Sequence, residues 1–219
     1  MSGHARDELE FQDVVRKRKM VREFEQRPIP KEVVDRILSN AQRGPSSGYT
    51  QGFEFLILDD HGTTSKFWEH LESQKGPHQS MGMRIENQSW NRLRNAPLII
   101  IPLAHSNAYV RRYLEPDKVA AGRKTEEDWP APYWYVDTAF AAMLILQTAV
   151  DSGLGAFYFS IGPTKLHIPK FQQAFGIPEE YYPIGAIAVG YPAQSPSNQR
   201  TSASRGRRPR SDVMHFGKW

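Results

Sequence analysis

The sequence lacks several features that would assign it to a familiar class of protein. It contains no cysteine, which excludes disulfide bonds, thiolate metal sites and thiol nucleophiles. No apolar run approaches the ~18 residues of a membrane-spanning helix. The charged N-terminus has no apolar segment typical of a secretory signal, so we expect a cytoplasmic protein with no membrane contact. The histidines show no metal-ligand spacing, and no G-x-G-x-x-G dinucleotide fingerprint occurs.

The positive charge is concentrated in the tail. The whole chain carries a formal net charge of +4, yet residues 200–219 alone hold six basic residues against one acidic residue. A nucleic-acid-binding domain more often spreads its basic residues over a folded face. We therefore expect no nucleic-acid partner, and interpret the tail as a disordered arm or a phosphate clamp. Its last residues include Val213, Met214, Phe216 and Trp219, so we expect the tail to pack.

Hydrophobic periodicity predicts one sheet and several helices. Helices are predicted over 8–18, 30–42, 64–73, 133–152 and 170–175, and strands over 53–58, 97–103, 156–160 and 184–189. The helix over 133–152 is apolar almost all round, which is typical of a helix buried on several sides and fits a subunit interface. Residues 105–130 are predicted to form a surface excursion. The direction of the strands stays open.

Four local features suggest ligand binding. The basic run Arg18–Arg22 suits a phosphate because guanidinium groups pair bidentately with its oxygens, although cations are also favoured at any helix C-terminus. Gly44–Gln51 exposes backbone N–H groups and hydroxyls, or is an ordinary turn. Ser152–Pro163 is a glycine-ended helix followed by a strand whose backbone could lie against an aromatic ring, or is a plain connection. The fourth feature is the basic and apolar tail, 205–219.

In this order and at these spacings, the four features resemble the nitroreductase family of flavoproteins. The match extends over nearly the whole chain. Its motifs are Arg18-Lys19-Met20-Val21-Arg22-Glu23-Phe24, Gly44-Pro45-Ser46-Ser47-Gly48-Tyr49-Thr50-Gln51-Gly52-Phe53, Gly153-Leu154-Gly155, Pro183-Ile184-Gly185-Ala186-Ile187-Ala188-Val189-Gly190-Tyr191-Pro192, and Arg205-Gly206-Arg207 followed by Trp219.

The resemblance implies an α+β fold with a mainly antiparallel central sheet flanked by helices, built as an intertwined homodimer. It implies a single domain over 1–219, in which residues 193–219 form an extended tail that completes an FMN site between subunits. The implied activity is that of an FMN-dependent oxidoreductase. NAD(P)H would reduce the flavin by hydride transfer, and a nitroaromatic, quinone or similar small acceptor would take the electrons. No side chain is nominated as a general acid or base, and no metal is expected.

The resemblance also implies which residues bind FMN. The phosphate and ribityl chain would be approached by Arg18, Lys19, Met20, Arg22, Arg205 and Arg207. The other subunit would contribute Pro45, Ser46, Ser47 and Tyr49. The isoalloxazine ring would be bordered by Tyr158, Phe159, Ser160 and Ile161, with Arg92 towards its pyrimidine side.

The sequence departs from the family pattern where Met20 replaces a serine, where Tyr49 replaces an asparagine, and where Gly52-Phe53 replaces Pro-Trp. Asp137, near the start of an apolar helix, is interpreted either as a buried site residue or as part of the electrostatics of the helix N-terminus. The segment 105–130 either holds an acidic aromatic substrate or is surface. Its residues of interest are Tyr109, Arg111, Arg112, Tyr113 and Trp129.

Other functions remain open at this point. A relative that fragments flavin, removes halogens or uses a deazaflavin would share the same cofactor residues, and so would a flavin-binding protein without turnover. Segments 62–95 and 105–130 would cover the active site and choose the substrate, which the sequence does not identify.

Overall fold

The computed structural model describes residues 10–73, 88–162, 164–194 and 206–219. Its strands are β1 (Phe53–Leu58), β2 (Leu98–Ala104), β3 (Gly155–Phe159), β4 (Tyr182–Pro183) and β5 (Ala186–Gly190). They form one open sheet in the order β1-β2-β5-β3, and β4 pairs with β2. Every ladder is antiparallel. Hydrophobic periodicity left the direction of the strands open, and the antiparallel direction found here is the one that the family resemblance implied.

Helices flank this sheet. They are α1 (Phe11–Lys17), α2 (Lys31–Ala41), α3 (His61–Ser73), α4 (Gln88–Leu93), α5 (Ser106–Tyr113), α6 (Tyr133–Asp151) and α7 (Ile168–Phe175). The five predicted helices are confirmed, with ends that differ by a few residues. Pro30 caps α2 instead of opening it, and the predicted helical residues 8 and 9 lie outside the described part of the chain.

The core has two layers, one on each face of the sheet. β2 is buried over its whole length because both of its faces are covered. On one face, α2 and α6 pack with Ile37 and Ile145 against Ile100. On the other face, α3 and α7 contribute Phe67 and Phe171. This arrangement leaves the ends of β3, and the segments beside them, as the places where polar groups gather.

The prediction of a surface excursion over 105–130 is wrong for its aromatic side chains. Tyr109, Tyr113 and Trp129 are buried and pack with Trp134 in a small third core. The guanidinium carbon of Arg123 lies 4.5 Å from the centre of the Trp129 ring, as in a cation–π contact. Tyr109 and Tyr113 lie four residues apart on one face of α5, but Trp129, the ring that both contact, comes from a separate segment, so no local period joins the three.

The expectation that the tail packs is also wrong for a single chain. All described tail residues, 206–219, are exposed. Phe216 and Trp219 are 87% and 97% exposed, and Val213 and Met214 are close to half exposed. The described residues of the chain leave these side chains uncovered. Apolar groups clustered in this way are typical of a surface that associates.

Candidate functional site

The basic run at residues 18–22 lies along the start of β3. The N–H of Val21 donates to the carbonyl of Ala156 at 2.9 Å, and Met20 pairs with Ala156 in a parallel bridge. Gly155 permits this approach, because a Cβ at that position would come within 2.6 Å of the Val21 side chain. The structure thus joins two features that the sequence separates by more than 130 residues.

Arg22 is oriented by an aromatic stack. Its guanidinium carbon lies 4.5 Å from the centre of the Phe157 ring, and one of its N–H groups donates to the Met20 carbonyl at 3.4 Å. Phe157 stacks on Phe159 with 5.2 Å between ring centres, and Phe159 stacks on Trp68 at 5.8 Å. Because the rings below Arg22 are buried, the exposed guanidinium rests on a fixed support.

The cations of this run face solvent. Lys19 and Arg22 are exposed, and Arg18 is partly exposed. In the part of the chain that the structure describes, no carboxylate lies within salt-bridge distance of these three side chains, whereas the preceding Arg16 and Lys17 both contact Asp13. The run therefore offers positive charge that the described residues leave uncompensated.

At the far end of β3, the four side chains predicted to border the ring are buried or hydrogen-bonded within the chain. Phe159 and Ile161 are buried in the core. Ser160 is exposed, and its hydroxyl donates to the Gly162 carbonyl at 2.6 Å. The hydroxyl of Tyr158 donates to the Ile184 carbonyl at 2.5 Å, and burial raises the pKa of this phenol.

The loop between α2 and β1 is held by a buried carboxylate. One oxygen of Asp137, on α6, accepts hydrogen bonds from the Ser47 N–H and from the Tyr109 hydroxyl, both at 2.8 Å. Asp137 is 3% exposed. Burial, followed by the hydrogen bond to Asp137, raises the pKa of Tyr109 far above its ordinary value. The Ser47 hydroxyl lies 3.0 Å from that of Tyr113. Asp137 is therefore buried, as the first of its two interpretations has it, and its contacts make it a structural anchor for this loop.

The rest of this loop carries the other predicted contacts. Pro45 and Tyr49 are exposed, and the Ser46 hydroxyl accepts from the Gln51 N–H at 2.8 Å. The Nε–H of Arg112 donates to the Gly48 carbonyl at 3.0 Å. The same guanidinium is paired with acidic side chains of its own segment, at 2.7 Å for the closer one. The alternative in which Arg112 holds an acidic substrate is therefore not favoured.

The structure gives Arg92 a partner within the chain. This residue lies on α4, and its guanidinium is 3.2 Å from a carboxylate oxygen of Glu23, which is 5% exposed. The Arg92 carbonyl also accepts from the Phe24 N–H. Its predicted role towards the flavin ring stays a prediction, and a structural role is now visible. Arg205 lies outside the described residues, and Arg207 is exposed.

The predicted site residues form two groups that lie at opposite ends of α6. The serine loop is fixed to Asp137, near the start of the helix. The basic run is fixed to β3. The start of β3 is in turn held near the end of α6, because the Leu154 N–H donates to the Ala149 carbonyl. At 1.5 Å per residue, Asp137 and Ala149 are about 18 Å apart along the axis. Within one chain, the serine loop and the basic run are therefore fixed near different ends of α6.

Sequence reasoning missed Phe157 and Glu23. Phe157 belongs to an apolar strand and carries no sign of its contact with Arg22. Asp137 was noticed because it is one of only two charged residues in the apolar helix α6, and such a residue is rarely buried unless it is paired.

The described residues contain no group of three histidine or acidic side chains that could hold a metal ion. Among the helices described, none combines the length and apolar character needed to cross a bilayer.

Comparison with known proteins gives a consistent result. The family model described as "Nitroreductase family" matches residues 15–191. A protein of Methanothermobacter thermautotrophicus, provisionally named NADH dehydrogenase/NAD(P)H nitroreductase, is 24% identical over 96% of this chain and 88% of its own. An NADPH-dependent oxidoreductase of Staphylococcus aureus is 24% identical over 94% of this chain and 73% of its own.

Solved structures agree on the fold. A protein from Exiguobacterium sibiricum, provisionally named nitroreductase and solved in complex with FMN, superposes with a TM-score of 0.66. It is 19% identical, and the match covers 95% of this chain and 97% of that one. The fold is thus that of these proteins, an α+β arrangement with an antiparallel sheet. Since the family model also matches most of its length, the chain belongs to the nitroreductase family.

Proposed function

We propose that this protein is an FMN-dependent oxidoreductase that takes electrons from NAD(P)H and passes them to a nitroaromatic, quinone or similar small acceptor. With a quinone, the balanced reaction is NAD(P)H plus a proton plus quinone giving NAD(P)+ plus hydroquinone. The observation that carries the proposal is the junction of the basic run with β3. There, cations that no described carboxylate balances lie beside the strand. The printed names of the relatives support the same chemistry.

The chemistry of the donor set fits FMN. Its phosphate carries close to two negative charges, which the cations of Arg18, Lys19 and Arg22 would balance, and Met20 would lie along the ribityl chain. The isoalloxazine ring would lie against the backbone of 158–161, with Arg92 as a further candidate. When bound, the flavin supplies hydride acceptance and electron transfer, which no side chain here provides.

We propose a homodimer because the serine loop and the basic run are fixed near different ends of α6 within one chain. In a dimer, Pro45, Ser46, Ser47 and Tyr49 of one subunit would complete the site of the other. Exposed apolar side chains support such an interface. They are Phe11, Val15, Tyr135, Phe140 and Met143 on α1 and α6, and Val213, Met214, Phe216 and Trp219 in the tail.

In this proposal the chain is a single domain whose tail, 193–219, extends over the partner subunit. The tail would bring Arg205 and Arg207 to the FMN phosphate, which explains why basic residues are concentrated there. Cytoplasmic location also stays a prediction, as does the absence of a nucleic-acid partner.

The visible spectrum of the purified protein tests the proposed cofactor. We expect flavin absorbance bands, with FMN rather than FAD released on denaturation. Anaerobic addition of NADH or NADPH should bleach these bands, and a quinone should restore them. A colourless protein that gains no bands with added FMN would contradict the proposal. Bound FMN that NAD(P)H reduces but no acceptor reoxidises would indicate a flavin-binding protein without turnover. FMN that neither nucleotide reduces would indicate a deazaflavin-linked or other flavin chemistry.

Replacing Arg207 by alanine tests the tail. We expect the dissociation constant of FMN to rise about 10-fold, because a charge-assisted hydrogen bond to phosphate is lost. The free energy of unfolding without FMN should change by less than about 0.5 kcal/mol, since the side chain is exposed. Arg208→Ala is the matched control, because the Arg208 guanidinium already donates to the Asp212 carbonyl within the tail. Equal FMN retention by Arg207→Ala and the wild type would show that the tail does not reach the phosphate.

A further inference from the structure

The loop that carries Tyr49 is exposed at its tip but fixed from below. Tyr49 is 79% exposed. Its N–H donates to the Ser46 carbonyl at 3.0 Å, and the Thr50 N–H donates to the Ser47 carbonyl at 3.2 Å. The Thr50 hydroxyl also donates to the Ser47 carbonyl, at 2.5 Å. The bonds to Asp137, Tyr113 and Arg112 described above fasten the same loop to α6 and α5. The Tyr49 side chain is therefore displayed on a rigid support.

The backbone of this loop is strained. Tyr49 and Gln51 have φ angles of 56° and 51°, in the left-handed region that side chains other than glycine and asparagine rarely adopt. Gly48 is also left-handed, and a Cβ there would come within 2.8 Å of the Tyr113 ring. Such strain persists only where the surroundings enforce it, and it is found most often at ligand sites. A bulky aromatic residue held in this conformation, yet left uncovered, has no evident benefit for stability.

We propose that Tyr49 determines substrate specificity by stacking its ring on planar aromatic electron acceptors. This inference rests on the proposed function, in which the loop reaches the flavin site of the partner subunit. A phenol offers a large flat face with few rotatable bonds, so little conformational freedom is lost when it binds a ring. Because the loop is fixed before binding, the ring is already in place. Quinones and nitroaromatics are the acceptors that this geometry selects.

The test compares two acceptors on FMN-loaded dimers. Menadione is a planar aromatic quinone that accepts two electrons, whereas ferricyanide is a non-aromatic complex, two of which take up the same two electrons. For Tyr49→Ala we expect the KM for menadione to rise about five- to tenfold through loss of stacking. Relative to the wild type, Tyr49→Ala should lose at least about fivefold more kcat/KM with menadione than with ferricyanide. Tyr49→Phe should restore the KM for menadione to within about twofold.

Gln51→Gly is the matched control, because it relieves left-handed strain two residues away without altering the displayed ring. We expect it to raise the melting temperature and leave the KM for menadione unchanged. An unchanged KM for menadione in Tyr49→Ala would overturn the inference. Equal losses with both acceptors would also overturn it, since Tyr49 would then serve only the flavin and not the choice of acceptor. A wild-type protein that binds no FMN would instead refute the proposed function.

Discussion

Replacing Asp137 by alanine lowers the free energy of unfolding by about 2–4 kcal/mol. The change removes the acceptor of two hydrogen bonds, from the Ser47 N–H and the Tyr109 hydroxyl. Each donor left without a partner in a buried place costs about 1–3 kcal/mol. For a chain of 219 residues, this corresponds to a drop in melting temperature of about 10 °C. Urea denaturation followed by circular dichroism measures the free energy of unfolding.

Two milder variants separate the contribution of the Tyr109 hydrogen bond from that of the Asp137 charge. Tyr109→Phe removes one donor and keeps the bond between Asp137 and Ser47, so we expect a loss of about 1 kcal/mol. Asp137→Asn keeps an acceptor oxygen but loses the charge that strengthens both bonds, and we expect a similar loss. If Asp137→Ala unfolds within 1 kcal/mol of the wild type, Asp137 does not anchor the loop.

Replacing Arg22 by alanine raises the dissociation constant of FMN about 10- to 150-fold. In the proposed site, this exposed guanidinium contacts the phosphate from its fixed place on the Phe157 ring. A hydrogen bond to a charged group contributes about 1.5–3 kcal/mol, which gives this range. Arg22→Lys should show a smaller rise, since an ammonium group keeps the charge but not the planar fork. Fluorescence titration of the apoprotein with FMN measures both.

Arg27→Ala is the matched control for Arg22. Arg27 is also an exposed arginine stacked on an aromatic ring, with its guanidinium carbon 3.8 Å from the centre of the Tyr191 ring. It lies outside the proposed phosphate site, so we expect FMN affinity within about twofold of the wild type. An equal loss in Arg22→Ala and Arg27→Ala would point to a general effect of charge, and no loss in either would remove Arg22 from the site.

Most of the regular structure could be predicted from the sequence. The run of apolar residues 98–104 is a buried strand, and the all-round apolar helix is α6, because long periodic segments are specified locally. The third core could not be predicted, since Tyr109 and Trp129 meet only after the chain has turned several times. The prediction that the tail packs was wrong for a single chain, because the described residues leave the apolar side chains of the tail uncovered.

The candidate site was predictable only as a set of motifs. Their order and spacing indicated the nitroreductase family, which the family model then matched. The predicted cofactor contacts themselves remain predictions. Neither the partner of Arg92 nor the support under Arg22 has a sequence signal, because both depend on residues that are distant along the chain.

The sequence by itself determined the family, five of the seven described helices, four of the five described strands, and the concentration of positive charge near its end. Tertiary structure alone decided how the motifs are arranged. It placed the basic run beside β3, through hydrogen bonds between distant segments and a glycine that allows close approach. It also fixed that run and the serine loop near different ends of α6. The reason is that composition and local pattern set what each segment forms, whereas long-range packing sets which segments meet.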